Sequence, residues 1–254
     1  MNRRRPLGRV LLWSLAFATG SAAFADSLVP NNLVVGPKGT TVDIEPHLAG
    51  IVVEDVVTPF SYVGWFRDSE IENGYFTGNV TGTVHSRVVR GIDDTYDFYW
   101  RIVVDDTSFL PVLDMRLTGL APATYNANFR LDGPGTVRPA LAMQFGDGSV
   151  TWAFGEYIPP STQVFPGLES RFLFLDSTAR AYAPSAFFTM ESGRDTGGSM
   201  MIQWGGESAA YPTFGPTPVP EPSAGWLAWV GLGALAIRRR RLASSHPPDR
   251  GAGK

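Results

Sequence analysis

Paired carboxylates are the side chains in this sequence best suited to chemistry. Asp93-Asp94 and Asp105-Asp106 stand at the two ends of a predicted strand. Oxygen-rich loops can hold Ca²⁺, and two facing carboxylates can hydrolyse a glycosidic bond. The spacing is not that of an EF-hand, and Asp at strand ends usually serves turns and the solubility of sheet edges. We therefore expect a structural use for Asp93, Asp94, Asp105 and Asp106, with Ca²⁺ as the metal to test there.

Histidines are too few between residues 26 and 221 to predict a catalytic or zinc site. His47 lies in a predicted loop, and His85 lies on the polar face of a predicted strand. The His-Glu-x-x-His pattern of zinc helices is absent, and the chain has no cysteine. Ser199 lacks the glycine spacing of a nucleophile elbow. The sequence thus predicts no catalytic residue and no enzyme, and a secreted hydrolase is the least favoured alternative.

Aromatic side chains offer a further kind of site, because exposed rings can stack on the faces of sugar rings. Aromatic residues in alternating strands are nevertheless more often core or cross-strand packing. A carbohydrate-binding module is therefore an alternative that depends on which rings are exposed. The candidates are Trp65, Tyr75, Tyr99 and Trp152.

The clearest structural unit is a hairpin over residues 82–106. In its first strand, Val84 and Val88 fall on one face, with His85 and Arg87 on the other. Turn-forming residues follow at 91–95. The second strand alternates polar residues with an apolar set that should face a core, and we expect this strand to be central. That set is Tyr96, Phe98, Trp100, Ile102 and Val104.

Short alternating segments continue along the chain, separated by clusters of Gly, Pro, Asp and Ser. Phe172 to Leu175 is apolar at every position and should lie deep in the fold. The pattern predicts an all-β chain with an antiparallel β-sandwich ectodomain at residues 26–204 and a Pro/Gly-rich linker at 205–217. The other predicted strands cover 41–44, 51–53, 62–66, 113–117, 125–131, 150–154, 186–190 and 200–204.

The first 25 residues have the three parts of a secretory signal peptide. A basic region with four arginines precedes the apolar run at residues 10–18. The small residues Ala23 and Ala25 supply a cleavage site. The sequence therefore predicts export.

The predicted exported part is acidic. Residues 26–221 contain 11 Lys and Arg against 23 Asp and Glu, which gives a formal charge of 11 − 23 = −12. Such a charge argues against nucleic acid as a partner. Because cysteines are absent, the folded part must be held together by its core.

The C-terminal region has three parts that predict a single membrane helix. Alternating prolines from Pro216 to Pro222 form an extended spacer. An apolar run follows at residues 224–237, and Arg238, Arg239, Arg240 and Arg241 come next. As a helix, the run from Pro222 spans roughly 24 Å, short of a hydrocarbon core of roughly 30 Å. Snorkelling arginines extend the span and keep the basic end in the cytoplasm.

These three parts, in this order, resemble the PEP-CTERM sorting signal of Gram-negative bacteria over residues 218–242. The resemblance implies recognition of Pro220, Glu221 and Pro222 by an exosortase, an integral membrane cysteine protease. It also implies transient residence in the inner membrane, cleavage near the motif, and release to the cell surface or extracellular matrix. Residues 243–254 form a longer tail than such proteins usually carry, and we expect this tail to be disordered.

Residues 75–84 and 97–104 also resemble a β-rich domain common among PEP-CTERM proteins, to which no activity is attached. The sequence as a whole predicts a surface or matrix protein with a structural or adhesive role in the envelope or exopolysaccharide. A carbohydrate- or calcium-binding module is the alternative.

Overall fold

The computed structural model describes residues 26–68, 70–121, 123–155, 163–193 and 202–217. The predicted signal peptide (1–25), sorting signal (218–242) and tail (243–254) lie outside the described residues. So do Ser199 and the four arginines at 238–241.

The described part of the chain is all-β, apart from a short 3₁₀ helix at Pro46–Leu48. Its strands are β1 (Asp26–Leu28), β2 (Asn32–Val35), β3 (Gly50–Asp68), β4 (Tyr75–Gly91), β5 (Tyr96–Val104), β6 (Asp114–Thr118), β7 (Tyr125–Phe129), β8 (Leu141–Gln144), β9 (Val150–Ala153), β10 (Leu173–Asp176), β11 (Tyr182–Glu191), β12 (Ile202–Gly205) and β13 (Tyr211–Pro216).

These strands form two curled sheets with antiparallel pairing. One sheet has seven strands in the order β1-β7-β10-β5-β4-β3-β12, and the other has six in the order β13-β11-β6-β9-β8-β2. Side chains of both sheets form one apolar core, which includes Trp100 from β5 and Trp152 from β9. The all-β class predicted from the sequence is confirmed.

The predicted hairpin at residues 82–106 is present as β4 and β5. Residues 82–90 of β4 pair with β5, and the turn at 91–95 joins the strands. Phe98, Trp100, Ile102 and Val104 are buried in the shared core, and Tyr96 packs against it. β5 is the fourth of seven strands, as its apolar face predicted.

The buried stretch before and within β10 is also confirmed. Leu173 and Leu175 face the shared core, while Phe172 and Phe174 belong to a second cluster with Leu48, Val89 and Tyr99. This second cluster lies on the other face of the seven-stranded sheet, because consecutive strand residues point to opposite faces. The 3₁₀ helix contributes Leu48 to it, so both faces of β10 are covered.

Two predictions near the N-terminal end were wrong: the division of residues 51–66 into separate strands, and the strand at residues 41–44. Residues 51–53 and 62–66 belong to one 19-residue strand, β3, and are not separate strands. Pro59 does not interrupt it, because proline is tolerated on an edge where its missing N–H faces away from the neighbour. Residues 41–44 form a hydrogen-bonded turn, in which the Ile44 and Glu45 amides donate to the Thr41 carbonyl.

The linker predicted at residues 205–217 is wrong for its second half, where β13 pairs with β11. Pro216 favoured an extended linker in the sequence, yet β13, which also contains Pro212, is an edge strand, where proline is accepted. Thr213 is buried in β13, and its hydroxyl accepts a hydrogen bond from Trp100 Nε1 at 2.9 Å and lies 3.1 Å from the Ser86 hydroxyl. β13 therefore completes the fold.

We predict that Thr213→Val destabilises the protein by about 1–3 kcal/mol, because it keeps the side-chain shape but leaves the buried Trp100 N–H without an acceptor. Chemical denaturation measures the change in the free energy of unfolding. Thr189→Val is the matched control, since the buried Thr189 hydroxyl has no partner to lose among the described residues. Equal stability of the two variants would contradict the role assigned to β13.

Candidate functional site

β3, β4 and β12 extend past the end of β5 as a three-stranded arm. β5 pairs with β4 only from Gly82 onward, whereas β3 and β4 stay paired as far as Arg67 and Tyr75. β12 pairs with residues 65–68 of β3 on the other side. We use "arm" for residues 65–68, 75–77 and β12.

The two faces of the arm are different. Phe66, Phe76 and Trp204 share one face, and Phe66 and Trp204 pack against the shared core. The opposite face carries Trp65 and Tyr75, whose rings stack with centroids 6.1 Å apart and planes inclined by 18°. Tyr75 is 59% exposed, so this pair presents an aromatic surface to solvent.

Glycine at position 205 permits the position of the Trp65 ring. Gly205 is the strand neighbour of Trp65, and a Cβ atom at residue 205 would lie 2.6 Å from ring atoms of Trp65. No side chain can occupy that space while the indole lies across the β12 backbone. The aromatic pair is thus held by strand register on one side and by a close ring–backbone contact on the other.

A groove of about 640 Å³ adjoins the aromatic pair. Its size is typical of small-ligand sites. It combines the two rings with a guanidinium, a carboxylate and two amides, which together donate and accept hydrogen bonds. Its lining residues are Trp65, Arg67, Asp68, Ile71, Asn73, Gly74, Tyr75 and Gln203.

The hairpin turn places the polar groups of this groove. Asp68 Oδ1 accepts a hydrogen bond from the Glu70 amide at 2.9 Å, and the Asp68 amide donates to the Gly74 carbonyl at 2.8 Å. Asn73 has a φ of 62°, in the left-handed region that asparagine tolerates better than most residues. Carboxylate and amide side chains therefore stand at the end of the aromatic surface.

A second hollow, of about 420 Å³, shares Trp65 with the groove. It is lined by Arg116, Glu191 and Glu207 together with glycine backbone. Glu191 and Glu207 are partners in an antiparallel bridge. Trp65 therefore borders two polar concavities, an arrangement that suits a ligand longer than one ring.

Of the four aromatic candidates from the sequence, only Trp65 and Tyr75 line this groove. Trp152 is completely buried in the shared core, and Tyr99 is buried in the second cluster beside Phe174. Trp152 cannot stack on a sugar, so this candidate was wrong, whereas Tyr99 is only 4% exposed in the lining of a separate hollow of about 470 Å³. The alternation of polar and apolar residues along a strand does not show which face of the sheet is covered by a neighbouring layer.

The four aspartates proposed for Ca²⁺ do not come together. Asp93 and Asp94 precede β5, and Asp105 and Asp106 follow it. A nine-residue strand separates the pairs by roughly 27 Å. Asp93 Oδ1 accepts hydrogen bonds from the Thr95 amide and hydroxyl, and Asp94 pairs with Arg90 at 2.7 Å. In the described part of the chain, no three His, Asp or Glu side chains are grouped to hold a metal.

Neither candidate histidine has the contacts of a catalytic base. His47 Nε2 lies 3.3 Å from Asp176 Oδ2, and His85 Nδ1 lies 3.3 Å from Arg101 Nη2. Burial and then the charge of Arg101 lower the pKa of His85, against the opposite effect of the Asp55 and Glu169 carboxylates. Among the described side chains, no serine or threonine hydroxyl contacts either ring, so the geometry offers no nucleophile–base pair.

Asp97 is buried on the face that carries Tyr99, next to the partly exposed carboxyl group of Asp176. Asp97 accepts a hydrogen bond from the Ser177 amide at 3.3 Å, and Asp176 accepts one from Asn126 at 2.9 Å. Burial, followed by the charge of Asp176, raises the pKa of Asp97. A protonated Asp97 can donate to the Asp176 carboxylate, which removes the repulsion between two adjacent charges.

Comparison with known proteins gives no match. No family model matches the chain, and no curated protein or solved structure matches it either. Within the described residues, no helix is of a length and apolarity that would let it cross a bilayer.

Sequence reasoning missed the polar members of the groove, Arg67, Asn73 and Gln203. The sequence did contain a signal for part of the groove, because Trp65 and Tyr75 flank a stretch rich in turn residues, as the two strands of a hairpin do. Gln203 reaches the groove only through the pairing of β12 with β3, which no local pattern indicates.

We predict that Asp97→Asn makes the protein more stable than wild type at pH 8. The folded state holds a proton on Asp97 that the unfolded chain loses near pH 4, so the contribution of Asp97 to wild-type stability is lost as pH rises from about 4 towards its raised pKa of about 8. An amide cannot ionise and removes this loss. Melting temperatures measured from pH 4 to pH 9 should show the variant gaining on wild type as pH rises.

Asp93→Asn is the control for this experiment. The Thr95 hydroxyl lowers the pKa of Asp93, so Asp93→Asn should lower the free energy of unfolding above pH 4. This effect is opposite in sign to the one expected for Asp97→Asn. Parallel curves for wild type and Asp97→Asn would contradict a protonated Asp97.

Proposed function

We propose that this chain is an exported protein of the bacterial cell surface or extracellular matrix, with an adhesive role. In this proposal an exosortase recognises Pro220, Glu221 and Pro222, after a C-terminal helix has held the chain transiently in the inner membrane. The support is the ordered set of signal peptide, proline-rich motif, apolar run and arginine cluster in the sequence.

The described residues would form the exported domain, a β-sandwich that runs as far as β13. Two sheets with a common core suit a domain that contains no disulfide. The signal peptide and the linker after residue 217 would lie outside it. The domain's net negative charge would keep it soluble in the matrix.

The adhesive role would consist in binding extracellular polysaccharide through the groove beside Trp65 and Tyr75. The observation that carries this proposal is the stack of the exposed Tyr75 ring on the partly exposed Trp65 ring, beside polar side chains. Sugar rings have apolar C–H faces that pack on aromatic rings, and their hydroxyls need donors and acceptors. The groove provides both.

A neutral polysaccharide fits this groove better than an acidic one. Arg67 and Asp68 bring one positive and one negative charge to the lining. The excess of carboxylates over the domain repels a polyanion within the Debye length of roughly 8 Å at physiological salt. We therefore expect dextran-like neutral polymers to bind more tightly than alginate.

We predict that Trp65→Ala and Tyr75→Ala each weaken polysaccharide binding at least about tenfold, because truncation of an aromatic hot spot costs about 2 kcal/mol or more. Affinity electrophoresis of the exported domain in gels containing the host's extracellular polymer, dextran or alginate measures this loss. Phe187→Ala is the matched control, since Phe187 is an exposed aromatic on β11, away from the groove.

Retardation that is equal for wild type and Trp65→Ala would exclude the groove as the binding site. The same gels run with Ca²⁺ and with chelator test the calcium prediction. A metal at Asp93, Asp94, Asp105 or Asp106 should alter binding in the gels, and it should raise the melting temperature in a thermal unfolding measurement.

We also predict that Glu221→Ala leaves the protein in the membrane at higher mass, because the exosortase would no longer recognise its motif. Fractionation and intact mass of the protein expressed in its host measure this. Val219→Ala, two residues away, is the control and should be released normally. Normal release of Glu221→Ala would count against sorting by an exosortase.

A further inference from the structure

β3 has a free edge over most of its length. β12 pairs only with residues 65–68 of β3, and no other described strand pairs with β3 on that side. Further along, the Tyr211 hydroxyl occupies both backbone groups of Ser61: it accepts from the amide at 3.0 Å and donates to the carbonyl at 3.3 Å. Residues 50–60 therefore form the open part of this edge.

The Ser61 contacts show which backbone groups face outward. The amide and carbonyl of Ser61 point away from β4. On its pairing partner Thr81, the amide donates to the Ser108 hydroxyl and the carbonyl accepts from the Asp105 amide, both on the far side of β4. In a regular antiparallel ladder, every second residue points the same way. The pairing of β3 with β4 is regular from Glu54 onward. Asp55, Val57 and Pro59 thus present their backbone groups to the open edge.

Two features limit the length of this edge. Pro59 has no N–H to offer a neighbouring strand. At the other end, the register shifts between Val52 and Glu54, which marks a bulge. The regular part between them offers the amide and carbonyl of Asp55 and of Val57, placed symmetrically about Val56.

The side chains around this short ladder favour contact. Exposed edges are usually protected by free charges, but here both acidic side chains are engaged within the chain. Asp55 pairs with Arg87 at 2.9 Å, and Glu54 accepts a hydrogen bond from the Tyr182 hydroxyl at 3.1 Å. The remaining exposed side chains are apolar: the β-branched Ile51, Val52, Val53, Val56 and Val57, and Pro59.

We propose that this edge is a self-association surface at which a second copy of the chain pairs antiparallel with β3 about a two-fold axis at Val56. In this register Asp55 of each copy faces Val57 of the other copy. Each of these two pairs forms two backbone hydrogen bonds, so four bonds form and every outward amide and carbonyl of Asp55 and Val57 is used. Val56 faces its own counterpart, and Glu54 faces Thr58. No two like charges are directly opposed.

A backbone ladder accepts any antiparallel strand, but a second copy is an occupant whose side chains fit this one, since Val56 meets Val56 and no like charges are opposed. The open groups extend equally to both sides of Val56, so an identical strand satisfies them without remainder. The result is one continuous sheet across two molecules. This assembly is independent of the arm and of its groove.

Cysteine crosslinking of the full-length chain tests this register directly. The protein has no cysteine, so Val56→Cys introduces the only thiol. Opposed Val56 residues form a non-hydrogen-bonded pair with Cα atoms about 4.5 Å apart, within the range of a disulfide. We expect Val56→Cys to form covalent dimers under mild oxidation. Val63→Cys is the control: it lies on the same strand and is 62% exposed, but outside the paired stretch.

Sedimentation equilibrium at 0.15 M salt supplies the second readout. Wild type should associate to a dimer, and Val56→Lys should weaken association about fivefold or more, because it opposes two like charges across the axis. Val63→Lys should associate as wild type does. A monomer at all concentrations, equal crosslinking at residues 56 and 63, or unchanged association of Val56→Lys would each overturn the proposal.

Discussion

The antiparallel pairing of β3 with β4 is the interaction on which the rest of the functional surface depends. β3 has 19 residues and β4 has 17, far longer than the usual five or six of a strand. Such a ladder cannot be covered along its whole length by strands of ordinary size. β5 covers one end of β4 and β12 covers the opposite end of β3. What remains without a neighbouring strand is the β4 side of the arm and the open edge of β3.

The ladder is anchored through β5, which explains how an extended hairpin can stay ordered. Phe98, Trp100 and Ile102 bury one face of β5 in the shared core, and Tyr99 packs on Phe174 on the other face. Each fully buried large apolar side chain contributes about 1.5–3 kcal/mol. Since β4 pairs with β5 over residues 82–90, the buried half of the hairpin holds the exposed half in place.

The sequence predicts best where local alternation and burial agree, as in residues 96–104. It predicts less well where strand continuity depends on a sheet edge, or where burial depends on a layer that covers one face of the sheet. Residues 51–53 and 62–66 were predicted as separate strands, because sequence alone does not show that the nitrogen of Pro59 between them faces an open edge. Asp97 alternates with apolar residues and so was expected on a polar face, yet that face is covered and Asp97 is buried. Trp152 and Tyr75 have similar local patterns, and only the register of distant strands exposes one and buries the other.

The open edge and the groove use different stretches of the same strand, so one does not exclude the other. Trp65 lies nine residues from Val56, which corresponds to roughly 30 Å along β3. A two-fold axis perpendicular to the sheet keeps both grooves on the same face, roughly 60 Å apart. If the groove binds sugar as proposed, two weak sites on one sheet would engage a single polymer chain, and the second contact would become intramolecular once the first had formed. Pairing at the β3 edge would in this way convert a weak groove into a firm attachment to a polymer matrix.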